Sequence, residues 1–140
     1  MSDAEVAADW ELGKLVHELD TQNNARHRER VRKLGMTVGQ ASALRELTVP
    51  MTLKELAVRM ACEPSNAIVI VDQLESQHLL ERRPHPTDRR AKQLMLTPGG
   101  IDRRGELLAS LRNEEPLLSA LTRQEQDTLQ NLLQRALSRR

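Results

Sequence analysis

The sequence predicts a mainly α-helical fold with one small β-hairpin, and three observations predict it. Three helix starts carry the same signature, a Thr followed three residues later by Glu or Gln: Thr37 with Gln40, Thr52 with Glu55, and Thr122 with Glu125. Apolar residues recur at helical spacing, as in Leu12, Leu15, Val16 and Leu19, which fall at i, i+3, i+4 and i+7. One region departs from both patterns. Residues 79–84 and 91–96 have no helical start signal and flank Pro84-His85-Pro86-Thr87-Asp88-Arg89-Arg90, a polar, proline-rich connector. Two short strands joined by an exposed loop account for it.

The elements follow in order. A first helix runs from about residue 9 into the Arg-rich segment and is expected to bury its Leu12 to Leu19 stripe. Its continuation through Arg26, Arg28, Arg30 and Arg32 is polar almost all round, so it either projects into solvent or meets an anion, and Gly35 ends it. At each of the three Thr signatures a capping box is expected. The Thr oxygen accepts the N–H of the third helical residue, and the Glu or Gln side chain accepts the cap residue's own N–H. Thr37 opens a helix through Leu44 and Leu47 that stops at Val49-Pro50; Thr52 opens a short one through Leu56, Ala57 and Met60. Glu63-Pro64-Ser65 begins the next, with proline at the first helical position, where its missing N–H is harmless. This helix carries Ile68, Val71, Leu74 and Glu75 and ends near His78. After the hairpin, Thr97-Pro98 starts a helix through Leu107, Leu108 and Leu111, interrupted near Pro116, and the Thr122 helix carries Leu129, Leu132, Leu133 and Ala136 to the end of the chain.

Composition limits what such a fold does. At 140 residues and 39% hydrophobic content the chain has room for one domain, taken as residues 1–140. Trp10 is the single aromatic residue, so the core must be aliphatic, and the base-stacking platforms that hold RNA loops and single strands are missing. RNA is therefore not an expected partner. The net charge of +1 conceals segments of opposite sign. Residues 1–25 carry one basic and six acidic side chains, residues 26–33 five and one, residues 34–81 three and six, residues 82–104 seven and two, and residues 105–140 five and five. Two short basic blocks in a nearly neutral chain point to a local polyanion contact. A lone Cys62 allows no internal disulfide, and the sequence shows neither a signal-peptide pattern nor an apolar run of about 18 residues, so a cytoplasmic protein off the membrane is expected.

Two short helices joined tightly, the second followed by a hairpin with a basic tip, is the order of a winged helix-turn-helix. Side chains at the start of the second helix can enter a duplex major groove. Arg89 and Arg90, on a loop stiffened by two prolines, can reach the adjacent minor groove or backbone. Asp88 would repel phosphate and reads better as an orienting partner for an arginine. No Gly-rich phosphate loop, nucleophile elbow, metal-ligand cluster or paired carboxylates occur, so no enzyme and no cofactor is expected. His17, His27, His78 and His85 have no Cys or His at ligand spacing, so no metal is expected either.

Six segments in order extend the argument: Leu53-Lys54-Glu55-Leu56-Ala57, Pro64-Ser65-Asn66, Val71-Asp72-Gln73-Leu74-Glu75, Leu79-Leu80-Glu81-Arg82-Arg83, Asp88-Arg89-Arg90 and Leu96-Thr97-Pro98-Gly99-Gly100. In these the chain resembles the MarR family of bacterial transcriptional regulators over nearly its whole length. The resemblance implies a homodimer, with dimerisation helices over about residues 9–34 and 98–140 and a winged helix-turn-helix lobe over about residues 37–97. It implies a repressor of a pseudo-palindromic operator in double-stranded DNA, released by a small-molecule effector. Half-sites one helical turn apart, roughly 34 Å, suit two recognition helices related by a two-fold axis. The expected DNA-contacting set is Ser65, Asn66, Ile68, Val69, Arg82, Arg83, Arg89 and Arg90, with Asp88 bracing the wing. Trp10 and His17, sharing the first helix, are candidates to line a ligand crevice between the dimerisation and DNA-binding regions. The leucines of the last helix are expected to form the dimer seam, since an exposed apolar helix face would leave a large patch.

Two positions depart from the family pattern. Ala67-Ile68-Val69-Ile70-Val71 is more apolar than the usual recognition helix, which often has Thr or a basic residue around positions 68 and 69. His78 stands where relatives often have Gly, implying a different turn or a small conformational cost. Two other readings stay open: a thiol-based redox-sensing regulator acting through Cys62, and a winged-helix protein-interaction module with weak or lost DNA binding.

Overall fold

The computed structural model describes residues 1–139; residue 140, with which the expected C-terminal region ends, lies outside the described residues. The elements are α1 (Asp3–Arg32), α2 (Val38–Glu46), α3 (Leu53–Arg59), α4 (Pro64–Ser76), β1 (Leu80–Pro84), β2 (Lys92–Leu96), α5 (Pro98–Arg112) and α6 (Arg123–Leu137). The mainly helical fold with a two-stranded hairpin is as expected.

Local cap chemistry sets most of these boundaries. Thr37 and Gln40 close a full capping box, as do Thr122 and Glu125. Thr52 accepts from the Glu55 N–H at 3.2 Å, but the Glu55 carboxylate takes the Thr52 hydroxyl at 3.1 Å rather than the cap residue's N–H, so that box is only half formed. A fourth box escaped the sequence reading. Ser2 and Glu5 bond reciprocally, at 3.1 and 2.7 Å, and start α1 well before residue 9. Helix α4 opens at Pro64 with no side-chain cap bond from Glu63.

Three helices end alike, with one residue in the left-handed region whose own N–H and that of the next residue satisfy two of the last carbonyls. Gly35 (φ 71°) does this after α1, where Met36 N–H bonds the Val31 carbonyl. Ala61 (φ 55°) does it after α3, with Ala61 bonding Val58 and Cys62 bonding Ala57. His78 (φ 61°) does it after α4, with His78 bonding Glu75 and Leu79 bonding Leu74. The departure at His78 thus leaves the turn type unchanged and incurs the steric cost of a Cβ in that conformation, about 1 kcal/mol.

The core is aliphatic, as the missing aromatics require. Leu44, Met51, Leu56, Val71, Leu74, Leu80 and Leu94 are fully buried, joined by Val31 from the end of α1 and Leu107 from α5. The hairpin is antiparallel with Leu80 opposite Leu96 and Arg82 opposite Leu94. Each strand starts one residue later than expected, because Leu79 is spent on the α4 turn and Ala91 on the loop. Met51 adds a bridge that the sequence did not reveal, exchanging bonds of 3.1 and 2.7 Å with Leu94. Gly100 packs the start of α5 directly onto the turn after α4, where a Cβ would collide with the Leu79 carbonyl. Thr97 ties the same junction, accepting from Gly100 N–H at 3.0 Å and donating to the His78 carbonyl at 2.7 Å.

One expectation is corrected. The α1 stripe is not buried within the chain: Leu12, Leu15 and Val16 are 63%, 54% and 54% exposed. Only the C-terminal end of α1 packs on the body, through Val31, so the earlier turns have nothing of this chain to bury against. Helix α6 likewise buries no residue, with Leu132, Leu133 and Leu137 exposed. The connector that follows α5 is held to α1, because the Arg26 and Arg30 guanidiniums donate to the Glu115 carbonyl and Arg30 pairs with Glu114 at 3.5 Å. Two of the five basic residues of the first block are thereby directed into the chain itself, neither to solvent nor to an external anion.

Candidate nucleic-acid interface

Helix α4 presents a sharply divided surface. Ala67, Val71 and Leu74 are buried against α2 and α3, while Ser65, Ile68, Val69 and Asp72, at i, i+3, i+4 and i+7, form an exposed stripe on the other side. Asn66 is exposed beside it in the first turn. Farther along, Gln73 is held by the buried Gln40 of α2. Gln40 accepts the Thr37 N–H through Oε1 and donates to the Gln73 Oε1 through Nε2, both at 3.2 Å. The residue that caps α2 therefore also fixes α4, through a hydrogen bond worth about 1 kcal/mol in such surroundings.

The hairpin is tied to the same helix. The Arg82 guanidinium on β1 donates to Asp72 Oδ1 at 2.7 Å and to Glu75 of α4. The Asp72 hydrogen bond is the main reason Arg82 is held even more firmly protonated than an ordinary arginine; burial opposes it, and the charge of Glu75 adds to it. Arg82 is thus engaged within the protein. Arg83 pairs with Glu81 at 2.6 Å, with Arg83 exposed and Glu81 half-buried.

At the hairpin tip, Ala91 N–H bonds the Asp88 carbonyl at 3.1 Å, making Arg89 and Arg90 the two central residues of a tight turn. Asp88 Oδ1 accepts the Arg90 N–H at 3.0 Å. The acid orients the backbone of an arginine rather than its guanidinium. His85, to which the sequence gave no role, organises the other side of the loop. Its Nδ1 accepts the N–H groups of Thr87 and Asp88 at 3.2 and 3.1 Å. Among the described residues Arg89, Arg90 and Lys92 enter no ion pair, and all three are exposed. The signal that singled out Arg89 and Arg90, a basic tip just after two prolines, is local and survives folding; Lys92 was not among the expected residues.

A cleft of about 490 Å³ lies where α1, α2 and α5 meet, walled by His27, Val31, Ala41, Arg45, Leu107 and Leu111. Trp10 and His17 do not line it. Residues 20–31 of α1 do, and Trp10 lies at least ten residues before them, about 15 Å along a helix. Burial lowers the His27 pKa below its ordinary value, and the neighbouring Arg30, Arg26 and Arg45 lower it further. Cys62 is half-buried just past α3. Among the described residues no cluster of His, Cys, Asp and Glu is placed to hold a metal ion, and no helix is long and apolar enough to cross a membrane.

Two short packed helices, an exposed stripe on the second and a hairpin braced to it define a winged helix-turn-helix protein. Residues 36–92 match the MarR family, and the chain carries a MarR-family domain. Over 86 residues it is 36% identical to the transcriptional repressor MprA of Escherichia coli (strain K12), covering 61% of this chain and 49% of that protein. Over 83 residues it is 36% identical to the HTH-type transcriptional repressor MdtR of Bacillus subtilis (strain 168), covering 58% and 54%. The chain thus spans about half the length of the curated relatives it matches. Its fold superposes on a mutant MarR from E. coli complexed with operator DNA with a TM-score of 0.78, at 25% identity over 91% of this chain and 94% of that one. These relatives are regulators of transcription rather than enzymes, in keeping with the sequence expectation.

Proposed function

We propose that this protein is a DNA-binding transcriptional regulator, a homodimeric repressor of a pseudo-palindromic operator that a small-molecule effector releases. The observation that carries the reading is the Arg82 brace to Asp72 and Glu75. It makes the α4 stripe and the wing tip one surface, so that Ser65 and Asn66 can meet base edges while Arg89 and Arg90 reach the neighbouring minor groove or backbone. Lys92 adds a free cation beside them. The names of MprA and MdtR as repressors support the sign of regulation.

The uncovered leucines of α1 and α6 support the homodimer, with residues about 9–34 and 98–140 as its dimerisation region and about 37–97 as each DNA-binding lobe. The cleft between α1, α2 and α5 supports the effector. It is walled by both regions, so a molecule that fills it favours one angle between them and hence one lobe spacing over another. Its walls are aliphatic, polar and charged, and the His27 imidazole is the one ring among its lining residues on which a flat ligand can stack.

The test is duplex binding by the purified full chain as salt is raised. An operator selected from genome fragments should be bound at low salt, and affinity should fall about 10³-fold or more between 50 and 200 mM if some six phosphates are contacted. Absence of duplex binding at low salt overturns the reading and leaves a winged helix used for protein contacts.

A further inference from the structure

The α4 stripe that faces outward offers unusually few hydrogen-bonding groups. Ser65 supplies one hydroxyl at its start, and Asn66 one amide beside it. The next two outward positions are Ile68 and Val69, 41% and 55% exposed. Beyond them Asp72 is committed to Arg82 at 2.7 Å, and the Gln73 Oε1 to Gln40 at 3.2 Å. Ile68 also lies in an open depression shared with Pro64, Leu94 and the lysines Lys54 and Lys92. Both lysines are exposed, and they sit at the start of α3 and of β2. An apolar floor between cations matches a nucleic-acid groove, where phosphates flank base edges, better than it matches an apolar protein partner.

In the major groove the only apolar group on a base edge is the C5 methyl of a pyrimidine, which is thymine in unmodified DNA. We propose that Ile68 and Val69 are specificity-determining residues that read thymine C5 methyl groups in the major groove of each half-site. Hydrogen-bonded readout is confined to Ser65 and Asn66 in the first turn of α4. This rests on the DNA-binding function proposed above and names what its recognition helix recognises. The branched side chains need no polar partner; where thymine carries the methyl, cytosine has only a C5 hydrogen, and beside it an N4 amine with which these side chains cannot pair. They select the methyl by contact area, and burial of one methyl is worth about fourfold in binding.

The experiment uses the full chain and a duplex selected by it from a random library, in parallel with the same duplex carrying uracil for thymine, which removes only the methyl. The wild-type protein should bind the uracil duplex on the order of tenfold more weakly, for one methyl contact per half-site. Restoring thymine one position at a time should recover the loss at the positions facing α4 and nowhere else. I68A and V69A, both at exposed positions, should keep the melting temperature; each should narrow the gap between thymine and uracil duplexes, and the double variant should close it. Equal affinity of the wild-type protein for the two duplexes overturns the methyl readout while leaving DNA binding intact. So does an undiminished preference in both variants. Failure to bind any duplex overturns the DNA-binding function itself, and the methyl readout with it.

Discussion

Arg82 on β1 and Asp72 on α4 form an ion pair of 2.7 Å that fastens the wing to the recognition helix, ten residues apart in sequence and on different elements. Glu75, one turn farther along α4, receives the other arm of the same guanidinium. The pair neutralises the acidic residue that ends the outward stripe of α4, which would otherwise face DNA with an uncompensated negative charge.

Replacement of Arg82 by Ala should therefore weaken operator binding by about tenfold, equivalent to about 1.4 kcal/mol. Stability should change little, because partly exposed ion pairs contribute about 0–1 kcal/mol. Anisotropy titration and thermal melting measure the two effects separately. A drop in melting temperature with undiminished binding would show that Arg82 acts on folding alone.

The Arg90 side chain has no ion-pair partner among the described residues, and its backbone bond to Asp88 does not depend on the guanidinium, so its removal should leave the fold undisturbed. R90A should lower operator affinity, reduce the slope of log affinity against log salt by about 1 if it meets a phosphate, and keep dimerisation and melting temperature. Unchanged binding in a gel-shift titration sinks the wing assignment. S65A and N66A should instead relax sequence preference, which competition with mismatched duplexes reads.

The exposed leucines of α6 supply a test of the dimer. Leu132 and Leu133 contribute little to this chain's own core, so L132E with L133E should leave the helical content of the lobe intact while yielding monomers in sedimentation equilibrium. Each leucine buried in a seam is worth about 1.5–3 kcal/mol, so two per subunit are enough to dissociate the pair. A dimer that survives the double substitution locates the interface elsewhere.

His78 holds a left-handed conformation that glycine adopts without strain. H78G should stabilise the protein by about 0.5–1 kcal/mol, offset in part by the greater freedom of glycine in the unfolded chain. Its N–H bond to Glu75 is unaffected by the change, so the gain should appear in urea denaturation at constant m-value.

His27 gives a pH dependence whose sign follows from its environment. Burial, and then the charges of Arg30, Arg26 and Arg45, lower its pKa in the folded state, so the unfolded chain binds the proton more readily. Its contribution to stability is fully present above the ordinary histidine value of about 6.5 and is lost as pH falls below that toward the folded value. H27Q should flatten the acid side of the melting-temperature profile. An anion occupying the cleft beside it should raise the His27 pKa, which NMR titration of the imidazole reads directly; equal profiles for the two proteins remove His27 from the acid transition.

Much of the fold was legible because its signals are short-range. The caps at Thr37 and Thr122 each span three residues, and the proline-rich connector between two strand-like segments needs no knowledge of the rest of the chain. The Ser2 box was equally short but preceded an apolar pattern too weak to draw attention to it. Legibility failed where the partner is distant. Nothing near Met51 marks it as a strand neighbour of Leu94, and nothing near Gln40 shows that its amide will reach Gln73.

The same division holds for function. The sequence by itself determined the element order, the aliphatic core, the basic tip of Arg89 and Arg90 and the apolar character of α4, because composition and spacing are properties of the chain alone. Only the tertiary structure decided which charges are spent. It turned Arg82 onto Asp72 and Glu75, and Arg26 and Arg30 onto the Glu115 carbonyl, while Arg89, Arg90 and Lys92 enter no ion pair among the described residues. It also left the stripes of α1 and α6 uncovered and put the cleft at His27 instead of Trp10. The physical reason is range. Capping and periodicity act within a helical turn, whereas ion pairing and burial depend on where remote segments are brought to rest.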